Sequence, residues 1–513
     1  MVSSPPFRRV LVANRGEIAV RLCRGLRECG VESVVVYSDA DRDAAHRFAG
    51  DLAVAIGGQA AAESYLVVDR ILAAAKETGA EAIHPGYGFL SENAAFARAV
   101  EEAGLVFIGP RPESMERLGS KAEARSVALA ADVPVVPGFD GDLPDDAAWQ
   151  AKADEIGYPL MVKASAGGGG KGMRMVERSE DFLDALHAGR REALASFGDD
   201  RMLLERRVHP ARHIEIQIVG DHHGDVVSFH ERECSVQRRH QKVLEEAPSP
   251  IVDAELRERM GEAAIRLAKA VGYRNAGTCE FLVDGDGRFY FLEMNTRLQV
   301  EHPVTECVTG VDLVHLQLQV AAGARLADLL QGIDLTPKGH AIEARIYAED
   351  PANGYLPAAG RLTRVDEPSG PGIRVDSGVH GGAEVPVHYD PMLAKLIVWG
   401  PDRESARRRM AQALSDSAYL GIPTNVDFLR RVVEDPRFRD GDLRTDMLDM
   451  PPDLARAPDD DTPDEVLVAA VLAHALGAGA GVGGGAAPAA STAQDGAALW
   501  QQLGGFRVFG GAR

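Results

Sequence analysis

Two glutamates on either side of a tight turn are the clearest candidates for chemistry in this sequence. The turn, Asp-Gly-Asp-Gly at 284–287, separates two runs rich in β-branched and aromatic residues, a pattern typical of a β-hairpin. A two-residue or a four-residue loop places Glu280 opposite Phe291, with Glu293 as its diagonal neighbour and Asn295 continuing that face. Such close carboxylates repel each other unless a cation separates them, and oxygen ligands suit Mg²⁺ or Mn²⁺. The alternative is a solvated acidic face, against which the aromatic neighbours argue.

A run of glycines between two short strands is the second candidate. Lys163 precedes the glycines at 167–170, and Lys171 follows them. A Walker loop is excluded because Lys171 is followed by Gly172 rather than by Ser or Thr. The free backbone N–H groups and the two lysines favour a phosphate-binding lid, and a plain surface loop is the alternative. We predict that this run is mobile without nucleotide and ordered with ATP.

Polar residues elsewhere suggest that an anion binds near the hairpin. Arg297 and Glu301 follow it directly and could act as an anion clamp and a general base, with a surface ion pair as the alternative. The run 231–242 carries many cations for an acidic protein, which indicates either an anionic ligand or a solvated strand face. Four histidines lack the spacing of a zinc site, namely His209, His213, His222 and His223.

The elements that must support these residues begin, at the N-terminal end of the chain, with alternating strands and helices. Strand and helix patterns alternate at 9–13, 16–30, 31–38, 67–78 and 80–84. This order predicts a mostly parallel sheet with helices on both faces. The first strand–helix turn lacks the GxGxxG pattern, which argues against a dinucleotide cofactor.

Length and composition exclude several classes of protein. The 513 residues predict about three to four domains, and 45% hydrophobic residues allow large cores. A net charge of −21 and only 6% aromatic residues argue against nucleic acid and anionic membranes as partners. Five scattered cysteines without CxxC predict reduced thiols and a cytoplasmic location. We also expect no signal peptide and no membrane span, since the longest apolar run, 466–476, falls far short of about 20 residues.

Seven ordered segments resemble biotin carboxylase, the ATP-grasp component of biotin-dependent acyl-CoA carboxylases. The matching segments are VANRGEIA at 12–19, HPGYGFLSEN at 84–93, KASAGGGGKGM at 163–173, the run 231–248, EMNTRLQVEHPVTE at 293–306, GHAIEARIYAED at 339–350 and YDPMLAK at 389–395. The resemblance extends from about Arg8 to Met450 without a gap, and so many ordered motifs are highly specific.

The resemblance implies a mixed α/β and α+β fold of several domains. It implies an N-terminal doubly wound parallel α/β domain over 1–120 and an ATP-grasp domain over 121–335, with a mobile lid at about 133–204. An α+β C-terminal domain would follow over 336–450. The remainder, 451–513, reads as a Gly/Ala/Pro-rich linker and C-terminal extension.

The resemblance also implies a role for particular residues. The ATP-binding set would be Lys121, Lys163, Gly169, Gly170, Glu205, Arg206, Arg207, Val208, His213, Gln237 and His240. The ligands of two Mg²⁺ or Mn²⁺ ions would be Glu280, Glu293 and Asn295. The bicarbonate pocket would consist of Lys242, Arg297, Gln299 and Val300. Glu301 resembles the base that deprotonates bicarbonate, and Arg345 resembles the group that faces the biotin ureido oxygen.

The implied reaction uses ATP and bicarbonate to form carboxyphosphate and then carboxylates biotin on a carrier protein. The partners of the protein would be the carrier and a carboxyltransferase subunit. The carboxylase body of the protein would form a homodimer. The sequence has no Met-Lys-Met, so we expect no biotin attached to this chain on that motif. The setting would be an acyl-CoA carboxylase, such as the acetyl-CoA carboxylase of fatty acid biosynthesis, with the acyl-CoA left open. The alternatives are another ATP-grasp carboxylate or carbamoyl ligase and a non-catalytic scaffold subunit.

Overall fold

The N-terminal part of the chain folds as a five-stranded parallel sheet. The computed structural model describes residues 5–165, 173–239, 241–449 and 452–455, together with 468, 471 and 472. The strands are β1 (Arg9–Val12), β2 (Glu32–Tyr37), β3 (Leu52–Ala55), β4 (Ala82–His84) and β5 (Val106–Phe107). The helices are α1 (Gly16–Glu28), α2 (Ala45–Ala49), α3 (Val68–Thr78), α4 (Ala94–Glu102) and α5 (Pro112–Gly119). The strand order is β3-β2-β1-β4-β5, and every pair is parallel.

Different helices cover the two faces of this sheet. Val10 and Val12 of β1 share a core with Leu22 of α1. Leu11, between them, belongs to a second core together with Ile71 of α3. Successive strand residues point to opposite faces, so this division means that helices pack on both sides. The predicted doubly wound α/β fold is confirmed.

The middle of the chain forms a smaller antiparallel sheet with its own core. Its strands are β6 (Gly138–Asp140), β7 (Leu160–Ala164), β8 (Arg174–Val176) and β9 (Met202–Arg206), in the order β6-β9-β7-β8. The preceding helix, α6 (Lys121–Ala130), belongs to another core, whereas α7 (Asp146–Ile156) and α8 (Phe182–Phe197) pack on this sheet. Trp149, Leu160 and Phe182 pack in one core. The predicted hairpin around the glycine run is present as β7 and β8, and the connecting residues 166–172 lie outside the described part of the chain.

A long antiparallel sheet carries most of the predicted site residues. The next strands are β10 (Ala211–Gly220), β11 (Val226–Arg238), β12 (Gln241–Ala247), β13 (Asn275–Asp284), β14 (Phe289–Asn295), β15 (His340–Tyr347), β16 (Glu349–Asp350), β17 (Leu356–Pro357), β18 (Gly360–Arg361), β19 (Arg364–Asp366), β20 (Ile373–Ser377), β21 (Glu384–Val385), β22 (Met392–Gly400) and β23 (Ala418–Leu420). Eight of them form one sheet in the order β14-β13-β10-β11-β12-β15-β22-β20, and the others form two-stranded pairs.

Seven helices pack around this sheet. They are α9 (Ala254–Ala270), α10 (His302–Thr309), α11 (Leu313–Ala321), α12 (Leu326–Leu329), α13 (Arg403–Ser415), α14 (Val426–Glu434) and α15 (Pro436–Asp440). The pairing of β12 with β15 continues the sheet across the predicted domain boundary at 335/336. Residues from both predicted domains therefore meet on one continuous surface.

The chain divides into two compact units near its C-terminal end. The first unit ends at Arg456, and the second comprises 457–513. The short turn Pro452–Ala455 belongs to the first unit, in which Leu454 is buried in the core beneath α14. In the second unit, Val468, Val471 and Leu472 are helical and exposed. Among the residues that the structure describes, every helix is too short or too polar to span a lipid bilayer.

Candidate functional site

The hairpin β13–β14 brings the two predicted metal-binding glutamates directly opposite each other. Glu280 pairs with Glu293, and Thr278 pairs with Asn295. Asn295 therefore lies two residues beyond Glu293 on the same face, and its Nδ2 donates a 2.8 Å hydrogen bond to Glu280 Oε1. A solvated face is excluded because Glu280 is only 5% and Asn295 only 9% exposed.

The predicted register of this hairpin is wrong by one residue. Phe291 pairs with Phe281 and not with Glu280, because the turn is a three-residue loop and Asp284 bonds to Arg288 instead of facing Gly287. Three-residue loops commonly place their last residue in the left-handed region, as Gly287 does with a φ of 75°. A β-bulge at Leu292 then restores the face, so Glu293 becomes the direct rather than the diagonal partner of Glu280.

A single ammonium group connects three carboxylates behind the hairpin. Lys242 Nζ on β12 donates to Glu215 Oε2 at 2.5 Å, Glu301 Oε1 at 2.6 Å and Glu280 Oε1 at 2.9 Å. Burial alone would raise the pKa of Glu280, but Lys242 and then His213 outweigh it and hold the pKa well below its usual value. Because burial is outweighed by the three carboxylates, the pKa of Lys242 is raised well above its usual value.

A fully buried arginine beneath Lys242 fixes this arrangement. Arg232 on β11 pairs with Glu215 and donates hydrogen bonds to Gln217 Oε1 at 2.7 Å and to Gln299 Oε1 at 2.7 Å. The polar run 231–242 is therefore not a solvated strand face, since residues 231–237 are all buried. The sequence drew attention to this run, but it gave no signal for the particular role of Arg232, whose partners come from distant segments.

Glu301 is held between two cations from neighbouring strands. It precedes α10, and its Oε2 accepts a 3.0 Å hydrogen bond from Arg345 Nη2 while Lys242 contacts its other oxygen. Burial would raise its pKa, but Lys242, Arg345 and Arg232 outweigh burial and hold the pKa well below the usual value. Glu301 is thus an ionised carboxylate and a weak base in this arrangement.

A cavity of about 720 Å³ opens beside Glu293. Its lining includes Lys121, Asn295 and Glu92. Burial, and then the charge of Glu280, raise the pKa of Glu293. A neighbouring small cavity is lined by Lys121, Glu293, Lys163 and Glu205, of which the last two form an ion pair. Cationic side chains and carboxylates therefore line these two neighbouring cavities together. A bound cation would stabilise the ionised form of the carboxylates.

The other predicted nucleotide-binding residues lie on β9, β10 and β11 or directly after β9, and none of those that the structure describes lines these two cavities. Arg206 ends β9 and is exposed, and its amide donates to Pro137 O at 2.8 Å. The Arg207 amide donates to Pro159 O at 2.9 Å, so neither amide is available for a nucleotide, and Val208 follows them. His213 Nε2 lies 3.0 Å from Glu280 Oε2, and Gln237 pairs with Lys242 across β11 and β12. The remaining members of the predicted set lie outside the described residues, namely Gly169, Gly170 and His240.

A second cavity of about 380 Å³ lies on the other side of Arg297. Arg297, Val300 and Arg345 line it, together with residues of the N-terminal domain. Arg297 donates to Asn295 Oδ1 at 2.8 Å and to Glu92 Oε2 at 2.9 Å, so it joins the hairpin to the N-terminal domain. Gln299 Nε2 donates to Glu280 Oε1 at 2.8 Å. Of the predicted anion-binding residues, Arg297 and Val300 therefore line the second cavity, whereas Lys242 and Gln299 line neither cavity and both contact Glu280.

Several charged residues of this region were missed by the sequence analysis. Glu92 lies in a quoted motif but received no role, and Lys395 donates to Val300 O at 2.9 Å. Glu245 accepts a 2.6 Å hydrogen bond from Arg345 Nε. Only the strand pairing brings such residues together, because they are far apart in the sequence.

Comparisons with known proteins agree along the length of the described chain. Residues 6–115 match the N-terminal domain of biotin carboxylase and 343–450 match its C-terminal domain. Residues 120–329 match the ATP-binding domain of the carbamoyl-phosphate synthase L chain. Biotin carboxylase of Halalkalibacterium halodurans is 52% identical over 439 residues, which cover 86% of this chain and 96% of that protein. The mitochondrial methylcrotonoyl-CoA carboxylase subunit alpha of Rattus norvegicus is 50% identical, and the match covers 86% of this chain but only 61% of that subunit.

Among solved structures, biotin carboxylases also match this chain. A biotin carboxylase complex with β,γ-ATP from Campylobacter jejuni superposes with a TM-score of 0.82 at 44% identity, covering 86% of this chain and 98% of that one. The biotin carboxylase domain dimer of the Hydrogenobacter thermophilus 2-oxoglutarate carboxylase, with MgADP, ADP and bicarbonate, has a TM-score of 0.83 at 44% identity. That match covers 88% of this chain and 99% of that one.

The fold and the site together define a protein of the ATP-grasp class. The domains on either side of the ATP-binding domain match the N-terminal and C-terminal domains of biotin carboxylase. The chain therefore belongs to the biotin carboxylase family.

Proposed function

We propose that this protein uses ATP and bicarbonate to carboxylate biotin on a carrier protein, the first half-reaction of an acyl-CoA carboxylase. The observation that carries the proposal is a chain of contacts that joins a nucleotide-sized cavity to a second, smaller one. Glu293 lines the larger cavity and pairs with Glu280, which Lys242 joins to Glu301. Glu301 in turn contacts Arg345, which lines the smaller cavity together with Arg297. An anion placed there can receive a phosphoryl group from one side and pass a carboxyl group to the other.

Glu280, Glu293 and Asn295 are proposed to hold Mg²⁺ or Mn²⁺ at two sites. Their donors are oxygens, the two carboxylates face each other, and burial with the charge of Glu280 raises the pKa of Glu293. Bound metal would neutralise the charge that develops on the transferred phosphoryl group. Lys121, Lys163, His213, Gln237 and the segment 205–208 are proposed to hold the nucleotide, together with the predicted Gly169, Gly170 and His240.

Glu301 is proposed as the base that deprotonates bicarbonate. Its low pKa in this arrangement results from Lys242 and Arg345, which take up its charge. A bicarbonate anion held by Arg297, Lys242, Gln299 and Val300 would compete for those cations. The approach of a like charge raises the pKa of a carboxyl group, so substrate binding itself would make Glu301 a stronger base.

Arg345 is proposed to face the biotin ureido oxygen in the smaller cavity. It lines that cavity, and its guanidinium remains charged throughout the relevant pH range. An enolate-like biotin develops negative charge on this oxygen, so a fixed donor there lowers the barrier.

The proposed partners are a biotin carboxyl carrier protein and a carboxyltransferase subunit, with a homodimer of the carboxylase body. The dimeric carboxylase domain of Hydrogenobacter thermophilus supports the homodimer. The relatives include methylcrotonoyl-CoA and propionyl-CoA carboxylase subunits, so the acyl-CoA is not assigned. The cytoplasmic location stays a prediction, which the five free cysteines support.

The test is bicarbonate-dependent ATP hydrolysis measured with and without free biotin. The proposal predicts hydrolysis that needs bicarbonate and rises on addition of biotin, with carboxybiotin as a product. Hydrolysis that needs another carboxylate or amine substrate would indicate a different ATP-grasp ligase. The absence of ATP turnover under all these conditions would indicate a scaffold subunit.

A further inference from the structure

Four buried ionisable side chains, one of them that of Arg345, form a row on one face of the eight-stranded sheet. Glu245 of β12 pairs with Glu343 of β15, and Arg345 of β15 pairs with Lys395 of β22. Cross-strand partners share a face, so all four side chains lie on the same side of the sheet. None is more than 8% exposed, and water therefore screens these charges little.

Two carboxylates hold the guanidinium of Arg345. Its Nε donates to Glu245 Oε1 at 2.6 Å, and its Nη2 donates to Glu301 Oε2 at 3.0 Å. The guanidinium is planar, so two contacts at different nitrogens fix both its position and the direction of its plane. Glu301 is already assigned as the base, which leaves Glu245 without a role.

We propose that Glu245 is the positioning residue of Arg345 and aims its guanidinium into the 380 Å³ cavity, toward the ureido oxygen of biotin. The inference rests on the proposed function, because it assumes that biotin binds in this cavity. Glu245 itself does not line the cavity, so it acts only through Arg345.

Glu343 provides an internal comparison. It is the direct neighbour of Glu245 on the adjacent strand and is equally buried, yet neither of its carboxylate oxygens has a hydrogen-bond partner. Burial raises the pKa of Glu343 well above the usual value despite the opposing charge of Lys395. Glu343 therefore makes no hydrogen bond that orients Arg345.

The charge state of Glu245 gives the proposal a pH dependence. The ionisable groups that face it are Arg345 and Glu343 on β15, Glu301 before α10, Lys242 on its own strand and Cys234 on β11. Burial raises the pKa of Glu245, the charge of Arg345 opposes this, and the result is a pKa of about 7. Above that pH Glu245 is ionised and holds Arg345 firmly, and below it the protonated acid holds Arg345 weakly.

The experiment compares Glu245→Gln with Glu343→Gln in the full chain. Both substitutions are isosteric and buried on adjacent strands, so a loss of packing or of a buried carboxyl group would affect them alike. Free-biotin carboxylation gives kcat and KM for biotin from pH 6 to 8.5, and ATP hydrolysis without biotin is measured in parallel. Circular dichroism and the melting temperature report on folding.

We expect Glu245→Gln to raise KM for biotin about tenfold and to lower biotin-independent ATP hydrolysis by less than threefold. In the unaltered protein kcat/KM for biotin should rise with pH through about 7, and this step should disappear in Glu245→Gln but persist in Glu343→Gln. Equal effects of both variants, or an unaltered protein with no biotin-specific step near pH 7, would overturn the positioning role. The pH profile of the unaltered protein tests the positioning role even if Glu245→Gln does not fold. An unaltered protein without bicarbonate-dependent ATP hydrolysis would overturn the proposed function instead.

Discussion

At the scale of single residues, the ammonium of Lys242 makes the two hairpin glutamates chemically different. Glu280 is in direct contact with Lys242, and its negative charge is therefore already neutralised. In Glu293 burial and the charge of Glu280 outweigh the cations nearby, so its pKa is raised. Glu293 is thus the carboxylate that gains most from an added cation, and it faces the larger cavity.

Glu293→Gln should therefore abolish most turnover without loss of stability. The substitution removes a proposed metal ligand, and we expect bicarbonate-dependent ATP hydrolysis to fall by about a hundredfold or more. The melting temperature without metal should not fall, since a neutral amide relieves the repulsion with Glu280. The matched control is Asp284→Asn at the far end of the same hairpin, where the amide oxygen still accepts from backbone N–H groups. Full activity in Glu293→Gln would remove it from the metal site.

Glu17 should make stability depend on pH in a defined direction. Burial raises its pKa to about 7, although Lys395 lies 3.5 Å away and opposes the shift. The folded state then binds a proton between about pH 4.5 and 7 that the unfolded state has released, so its contribution is full below pH 4.5 and is lost as pH rises through 7. Relative to Glu17→Gln, the unaltered protein should lose on the order of 1 kcal/mol per pH unit across this window. The measurement is the free energy of unfolding by urea for both proteins from pH 5 to 8. If it changes with pH by the same amount in both, this assignment is wrong.

At the scale of elements, the bulge and the turn of the hairpin explain what the sequence could not predict. The Asp-Gly-Asp-Gly signal correctly located the hairpin, and period-two alternation correctly grouped Glu293 with Asn295. Loop length is not readable from those residues alone, and the bulge at Leu292 has no sequence signature of its own. The common face was therefore predictable, while the direct pairing of Glu280 with Glu293 was not.

Gly287→Ala tests the three-residue turn that sets this register. Gly287 has a φ of 75°, where a side chain is strained even though an added Cβ would meet no atom within 4 Å. We expect the free energy of unfolding to fall by about 1 kcal/mol, with activity retained. Gly285→Ala is the control in the same loop, since its backbone lies outside the left-handed region and its Cβ would approach only Pro210. An equal loss in both variants, measured by chemical unfolding, would show that the turn is of another type.

The same contrast between local and distant signals applies to the rest of the fold. In the N-terminal domain, β1, α1, β2, α3 and β4 were predicted to within two residues, because their apolar patterns are local. The shorter or less regular elements of the same domain, α2, β3, α4, β5 and α5, were not predicted. The buried network around Arg232 was not predicted, because its partners come from β10, β13, α10 and the loop before that helix. Sequence spacing carries no information about pairings over such distances, and only the family resemblance identified Lys242 and Arg345.

At the scale of the whole molecule, the eight-stranded sheet joins residues that the domain prediction had separated. Lys242 and Glu245 lie on one side of the predicted boundary at 335/336, and Arg345 and Lys395 lie on the other. The boundary stays a prediction, but the pairing of β12 with β15 means that the proposed biotin and bicarbonate residues share one rigid framework. Activity should therefore depend on this body of the chain and not on the segment after it.

Truncation at two positions tests where that body ends. Leu454 is 9% exposed in the main core, and its carbonyl accepts a 2.8 Å hydrogen bond from Arg431 Nε. A chain ending at Arg456 should keep bicarbonate-dependent ATP hydrolysis, free-biotin carboxylation and an unchanged melting temperature. A chain ending at Met450 should remain active but lose about 2 kcal/mol of stability, the usual contribution of one buried leucine.

Light scattering and a carrier-binding assay complete the comparison. The truncated chains should have the same subunit number as the intact protein, and only docking to a carrier or carboxyltransferase should weaken. We predict Trp500, Phe506 and Phe509 as anchors for such docking, because aromatic residues dominate binding hot spots. All three lie outside the described residues. If the chain ending at Arg456 is an unfolded monomer or fails to carboxylate free biotin, residues after 456 belong to the carboxylase body. The division of the chain into two units would then not reflect how it folds.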